Sequence, residues 1–165
     1  MSEPRRRTKS DTNTPKTIAR LDAESAIHRL IASYVHLLDE GKFGEIAELL
    51  QYAEFDIVGN VASGEANIEA LLYSNVQLHA DGTPRTWHTL ANTLIDVDSR
   101  GETASASSYY TVHQQLDGFA LQPIVTGKYL DRFERRDGEW RFVHRALTVH
   151  SIGDLQHHAK SAEAA

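Results

Sequence analysis

Two Asp-Gly pairs, Asp117-Gly118 and Asp137-Gly138, constrain this 165-residue chain more than any other feature. Asp-Gly between strand-like runs is a strong hairpin signal, because a two-residue turn needs residues that tolerate a left-handed backbone. The runs they separate, about 102–116, 121–135 and 139–151, are rich in Thr, Val, Ile, Tyr and Trp. A fourth run, about 85–98, is set off by Ser99-Arg100-Gly101. The second half is therefore expected to be an antiparallel meander of long strands.

The first half has a different period. Asp22 is a plausible N-cap, with Glu24 in the first turn. Ala26, Ile27, Leu30, Ile31, Tyr34, Leu37 and Leu38 then recur at helical spacing, and the helix is expected to end near Gly41. Phe43, Ile46, Ala47, Leu49 and Leu50 mark a second, short helix. Residues 54–58 read as a strand closed by Gly59, and 66–78 as a third helix broken by Asp81, Gly82 and Pro84. Helices followed by a long antiparallel sheet make an α+β plan. Three helices cannot bury their stripes on one another alone. They must cover one face of a strongly curved sheet, leaving a closed-ended cavity suited to a small hydrophobic molecule.

Residues 1–16, polar and holding Pro4 and Pro15, read as a disordered leader. The domain is expected over 17–154, and 155–165, with His157 and His158, reads as a frayed tail. Arg5, Arg6, Arg7, Lys9, Lys16 and Arg20 face only Glu3 and Asp11 in the first twenty residues, so the net charge of −6 conceals a more acidic body. An acidic body argues against nucleic acid on the folded part. The absence of cysteine excludes disulfides, thiolate metal sites and cysteine nucleophiles. No run approaches the roughly 18 apolar residues of a membrane span, and no signal peptide is visible, so a cytoplasmic protein is expected. G-x-G-x-x-G, P-loop, G-x-S-x-G and H-E-x-x-H motifs are all missing, so neither a cofactor nor a metal is expected and any chemistry should be acid–base work.

Several ionisable residues fall where a core prefers apolar ones. Tyr34 lies on the apolar helical stripe and its hydroxyl needs a partner. Asp39 follows Leu37 and Leu38 at the helix end, where a carboxylate opposes the helix dipole; it is either a solvated terminus or a functional group. Alternation puts His88, Leu90, Asn92 and Leu94 on one strand face, with Trp87, Thr89, Ala91, Thr93 and Ile95 on the other. His113 shares a face with Tyr109 and Thr111. A buried histidine is usually a hydrogen-bonded core residue, so position alone assigns neither His88 nor His113 a role. Arg132, Glu134 and Arg136 are expected in water. Arg145, beside Ala146 and Leu147, needs a carboxylate or an anionic ligand if it is covered. By alternation it lies opposite Trp140, Phe142 and His144. It therefore reaches the interior only through a bulge, and His144 is the rival in a regular strand.

The order of helix, helix, strand, helix and long meander ending in Phe133-Glu134-Arg135-Arg136-Asp137-Gly138-Glu139-Trp140-Arg141-Phe142 resembles the nuclear transport factor 2-like, cystatin-like cone. Within it the chain is most similar to SnoaL-like small enzymes, among them scytalone dehydratase, bile-acid 7α-dehydratase and hexachlorocyclohexane dehydrochlorinase. The resemblance spans about residues 19–152. It places the family's helix-end aspartate at Asp39, its first-strand histidine and following asparagine at His88 and Asn92, and its last-strand arginine at Arg145. Tyr34 matches the tyrosine of the bile-acid enzyme, where the dehydrochlorinase carries lysine, and His113 matches the second histidine of scytalone dehydratase.

The resemblance implies a cofactor-free lyase of the dehydratase type. Asp39 would orient His88, His88 would take a carbon-bound proton, and Tyr34 with His113 would hold a developing enolate or leaving hydroxyl. Arg145 would hold an anion, and Tyr109 and Tyr129 would line the pocket. Rival readings are a non-catalytic binder or accessory subunit, a polyketide-cyclase-like enzyme, and a ketosteroid-isomerase-like enzyme with a sheet aspartate such as Asp131 as base. A dimer or trimer is expected through the outer sheet face, with Trp87, Ile95 and Val97 supplying apolar surface.

Overall fold

A computed structural model describes residues 14–160. Helix α1 runs Thr14–Asp39 and starts well before the Asp22 cap that the sequence suggested, so Asp22 lies within it. Pro15 falls in the first turn, where its missing N–H costs no helical bond. The expected leader thus contributes 14–16 to the helix, and its remainder lies outside the described residues. Ala23, Ile27, Ile31, Tyr34, Val35 and Leu38 are buried along one stripe. A Cβ at Gly41 would run into the Gly82 carbonyl, so only glycine lets the end of α1 lie against the loop that leads into the first long strand.

Helix α2 (Phe43–Leu49) buries Phe43, Ile46 and Ala47. Strand β1 (Glu54–Ile57) is followed by β2 (Asn60–Ser63), which the sequence reading did not anticipate. The pair closes through Val58 and Gly59, both at positive φ, and Gly59 N–H donates to Asp56 Oδ1 at 2.6 Å. A β-branched residue at positive φ is uncommon, which explains why no hairpin was legible there. Helix α3 (Glu65–Asn75) buries Ile68 and Leu72.

The meander is β3 (Thr86–Val97), β4 (Thr103–Leu116), β5 (Phe119–Arg136) and β6 (Glu139–Ile152). The six-stranded sheet has the order β2-β1-β6-β5-β4-β3. The meander pairs are antiparallel as expected, but β1 pairs with β6 in parallel, so the sheet is mixed. Register shifts at Ala91/Leu94, Val112/His113, Gln114/Leu116, Thr126/Gly127 and Arg132/Phe133 bend the long strands, and the sheet curls around the helices. The core lies inside the curl, where α1, α2 and α3 press Ile27, Phe43, Ile46 and Ile68 toward Phe55, Phe133 and Phe142.

The bulge at Asn92, whose φ is 52°, reverses the β3 alternation. Leu90 packs on the core, Leu94 is 71% exposed, and Ile95 and Val97 pack inward. Ile95 and Val97 are therefore core contacts, which corrects their placement on the outer face; of the three residues expected there, Trp87 is exposed. Residues 155–160 do not fray. An isolated bridge joins Val76 to Ala159, Gln77 N–H donates to the His158 carbonyl at 2.8 Å, and Gln114 Nε2–H donates to the His157 carbonyl at 3.0 Å. Among the described residues, no helix is long and apolar enough to cross a membrane.

Candidate active site

The inward residues of the curled sheet, α1, α3 and the docked tail enclose a cavity of about 230 Å³. Tyr34, Asn75, His88, Tyr110, Tyr129 and His158 bring polar groups to its wall, and Leu38, Leu72, Val112, Val125 and Leu147 supply apolar lining. Three larger depressions, on the outside of α1, between its start and the β3–β4 turn, and beside Leu94 and His144 on the sheet, lie away from these groups.

Asp39 is the last residue of α1, and the α1–β3 contact places it beside the first turn of β3. His88 N–H donates to its Oδ2 at 2.9 Å, Thr86 Oγ1–H to its Oδ1 at 2.7 Å, and the His88 ring meets Oδ1 through Nδ1 at 2.6 Å. Burial pushes the Asp39 carboxyl up, but the bonds from His88 and Thr86 outweigh it and hold the group below the usual carboxylate range. An ionised carboxylate only accepts, so Nδ1 carries the proton and donates. The His88 side chain is 3% exposed, and its ring lies on the cavity wall with the Nε2 lone pair uncommitted to Asp39. Three donors offset the unfavourable helix dipole at Asp39. Thr86, which supplies one of these three donors, was not singled out in the sequence.

Tyr34 is buried against Phe55 and Tyr129, with edge-on ring centroids 6.1 and 5.8 Å away. Burial pushes its hydroxyl up to about 12, Arg145 opposing, so it stays a donor. Burial likewise raises Tyr129 and Tyr110. Tyr110 O–H donates to the Thr148 carbonyl at 3.3 Å across Gly127, where any Cβ would strike both the ring and that carbonyl.

Arg145 does enter the interior, and the cause is a bulge: Arg132 pairs with His144 and Phe133 with Phe142, which leaves Val143 extra. His144 faces Glu54 at 3.6 Å instead. Arg145 is fully buried, donates from Nη1 to Asp131 Oδ2 at 2.9 Å, and lies 4.0 Å from the centroids of both Tyr34 and Tyr129. It stands behind those rings, off the cavity wall, and its anion is Asp131. The expected contact with a substrate anion is corrected accordingly. Burial pushes Asp131 up to about 6 while Arg145 pulls the other way.

Three expected contacts do not reach the cavity. Tyr109 is 46% exposed on the outer face, with Lys128 Nζ 4.9 Å above its ring, because β4 turns its even-numbered residues inward and Tyr110 takes the inner place. His113 shares that outer face, opposite Trp87 in the ladder. Asn92 is exposed in the β3 bulge. Tyr110, His158 and Asn75 are the polar wall residues that sequence reasoning missed. The first was one position from a named tyrosine, and the second had no local signal. Among the described residues, no group of three or more His, Asp or Glu side chains is placed to hold a metal ion.

Helices that close a curled sheet around a tyrosine-rich chamber, with a carboxylate-anchored histidine on its wall, define an α+β cone with an internal cavity. The chain belongs to the SnoaL-like domain family of the NTF2-like superfamily, whose model matches residues 19–146. An NTF2-like protein with a cystatin-like fold from Novosphingobium aromaticivorans is 28% identical, covers 87% of this chain and 92% of its own, and superposes with a TM-score of 0.71. A candidate scytalone dehydratase of the same organism is 22% identical (90% and 99% covered, TM-score 0.65). A hexachlorocyclohexane dehydrochlorinase of Novosphingobium barchaimii is 19% identical (83% and 92% covered, TM-score 0.66). The last two carry the fold alone. No curated protein matches the chain.

Proposed function

We propose that this protein is a cofactor-free lyase of the dehydratase type, with His88 as base and Asp39 as its anchor. The observation that carries this reading is the 2.6 Å contact between His88 Nδ1 and Asp39, which leaves Nε2 as the acceptor in an enclosed chamber. Nε2 takes a proton from carbon next to a carbonyl, and the C–H electron pair forms an enolate. As the carbonyl re-forms, the β-hydroxyl leaves, takes the proton back from His88, and departs as water. Asp39 stays ionised and steadies the imidazolium between the two steps. Tyr34 donates a hydrogen bond to the leaving oxygen.

The chamber sets the size of the substrate. An apolar cavity of about 150 Å³ holds benzene, so about 230 Å³ suits one ring with one or two polar substituents. Asp131 is bound to Arg145 behind the tyrosines, which favours His88 over a sheet-aspartate base of the ketosteroid-isomerase kind. The exposed Trp87, Leu94 and Leu130 support assembly with further copies through the outer sheet face.

The test is a set of one-ring β-hydroxy ketones incubated in deuterated water, with proton exchange and loss of water followed by NMR. Wild type accelerates both, and His88→Ala lowers the rate by about 10²–10⁴-fold. Equal rates in the two proteins would end the proposal and leave a binding protein.

A further inference from the structure

The tail brings one more titratable group to the chamber. His158 lines the cavity together with Leu155 and Ala159. Its main chain is held by the Gln77 bond to its carbonyl, by its own N–H to the Leu155 carbonyl at 2.9 Å, and by the neighbouring bond from Gln114 to His157. Lys160 adds two more ties, through its N–H to the Asn75 carbonyl at 3.2 Å and through Nζ to the Tyr73 carbonyl at 2.6 Å. The ring itself is left unused. Nδ1 is sealed in protein with no partner, and no residue of the described chain hydrogen-bonds Nε2. A buried N–H without an acceptor is rarer than a buried lone pair without a donor, so the proton belongs on Nε2. Burial lowers the pKa of His158 to about 4, with His88 adding repulsion, and the ring is neutral near pH 7.

We infer that His158 is a second catalytic residue of this chamber, a neutral imidazole whose Nε2–H donates to the substrate oxygen on which charge develops while His88 holds the carbon-bound proton. This rests on the proposed proton abstraction. His158 transfers no proton: the C–H bond breaks to His88, the negative charge collects on the enolate oxygen, and the Nε2–H bond to that oxygen strengthens and then relaxes as the carbonyl returns. A neutral donor suits an enolate oxygen, whereas a charged one beside His88 would resist protonation of the base. The donor is delivered by a segment far from His88 in sequence, so the docked tail completes the site.

4-Nitrophenol is a one-ring probe whose phenolate oxygen imitates the enolate, and its binding is read by absorbance in the full-length protein. Wild type is expected to bind the phenolate, with a His158 Nε2–H NMR signal moving downfield. His158→Phe weakens binding about tenfold or more, and His158→Gln, which keeps an N–H donor, recovers part of the loss. Amide exchange at Gln77 and Ala159 reports whether the tail stays docked. Equal binding in all three proteins, no phenolate binding by wild type, or a loss in both variants that tracks tail undocking would each overturn the assignment. His88→Ala separates the two proposals: it abolishes carbon exchange and keeps the His158-dependent phenolate binding. If wild type shows no exchange while His158 still governs the phenolate, the base chemistry fails and the donor contact stands.

Discussion

Two carboxylates meet a nitrogen base inside the same cone, and the pairs are built to opposite ends. Asp39 receives three donors and leaves one nitrogen of His88 facing the chamber. Asp131 and Arg145 are sealed behind Tyr34 and Tyr129, where Asp131 Oδ1 and Arg145 Nε and Nη2 have no partner. The first pair has a satisfied carboxylate and a ring nitrogen uncommitted to it. The second carries full charges in a dry place and stacks its cation on two rings. A buried ion pair therefore does not mark chemistry by itself. What separates the two is where the unfilled valence points, into the chamber or into protein.

That contrast can be broken most sharply at Arg145. Arg145→Ala leaves Asp131 buried and uncompensated, and should lower the unfolding free energy by about 3–5 kcal/mol in urea titration. The double change Arg145→Met with Asp131→Leu should cost far less. A double variant as unstable as the single one would show that the tyrosine stack, not the charge, holds this region.

Asp39→Asn should do the reverse. Turnover falls by about 10²-fold or more as His88 loses its orienting acceptor, while stability falls by only about 1–3 kcal/mol for a lost charge-assisted bond. Steady-state rates and urea midpoints on the same samples check both halves.

Acid should also split the pairs. Asp39 is held below its ordinary value, so its contribution is present above about pH 4 and is lost as pH falls through the lower folded value. Asp131 is raised to about 6, so its contribution is full below about pH 4 and is lost as pH rises through 6. Between pH 7 and 5, acidification should therefore raise wild-type stability relative to Asp131→Asn, by on the order of 1 kcal/mol. Relative to Asp39→Asn, the loss that comes from protonating Asp39 itself appears only below about pH 4. Urea midpoints across this range decide it. His158, lowered to about 4, loses stability on acidification in wild type and Asp131→Asn alike and cancels in that comparison.

The smallest expected effect lies outside the cone. Trp87→Ser with Leu94→Ser removes two side chains, each 71% exposed, and should move stability by about 0.5 kcal/mol or less. The same change should shift sedimentation toward a smaller species. An unchanged sedimentation profile would remove the outer face as an assembly surface.

Much of this was legible along the chain. The Asp-Gly turns and the helical stripe announced an α+β plan, the family resemblance implied the cone, and strand runs near 85–98 and 139–151 lie where β3 and β6 form. Asp39 and His88 stood out because each breaks a local pattern, a carboxylate at a helix C-terminus and a histidine in an apolar strand, but position alone assigned neither a role and the family resemblance paired them. Their meeting at 2.6 Å across 49 residues was expected through the resemblance alone, since no local pattern links them. The faces of Asn92, Ile95 and Arg145 were misread or left open for one reason: a single extra residue reverses strand alternation, and bulges at Asn92 and Val143 follow from sheet curvature. Tyr109 and His113 were assigned inward, although the uninterrupted parity of β4 turns Tyr110 and Gln114 in.

By itself, then, the order of residues determined most of the elements and the turns between meander strands. These depend on backbone preferences and periodicities that act over a few neighbours. Tertiary structure alone decided the parallel β1–β6 contact, the inward turn of Arg145 onto Asp131, and the docking of the tail that carries His158. Those outcomes depend on how far a sheet must bend to close over its helices, and that balance is struck among strands distant in the chain.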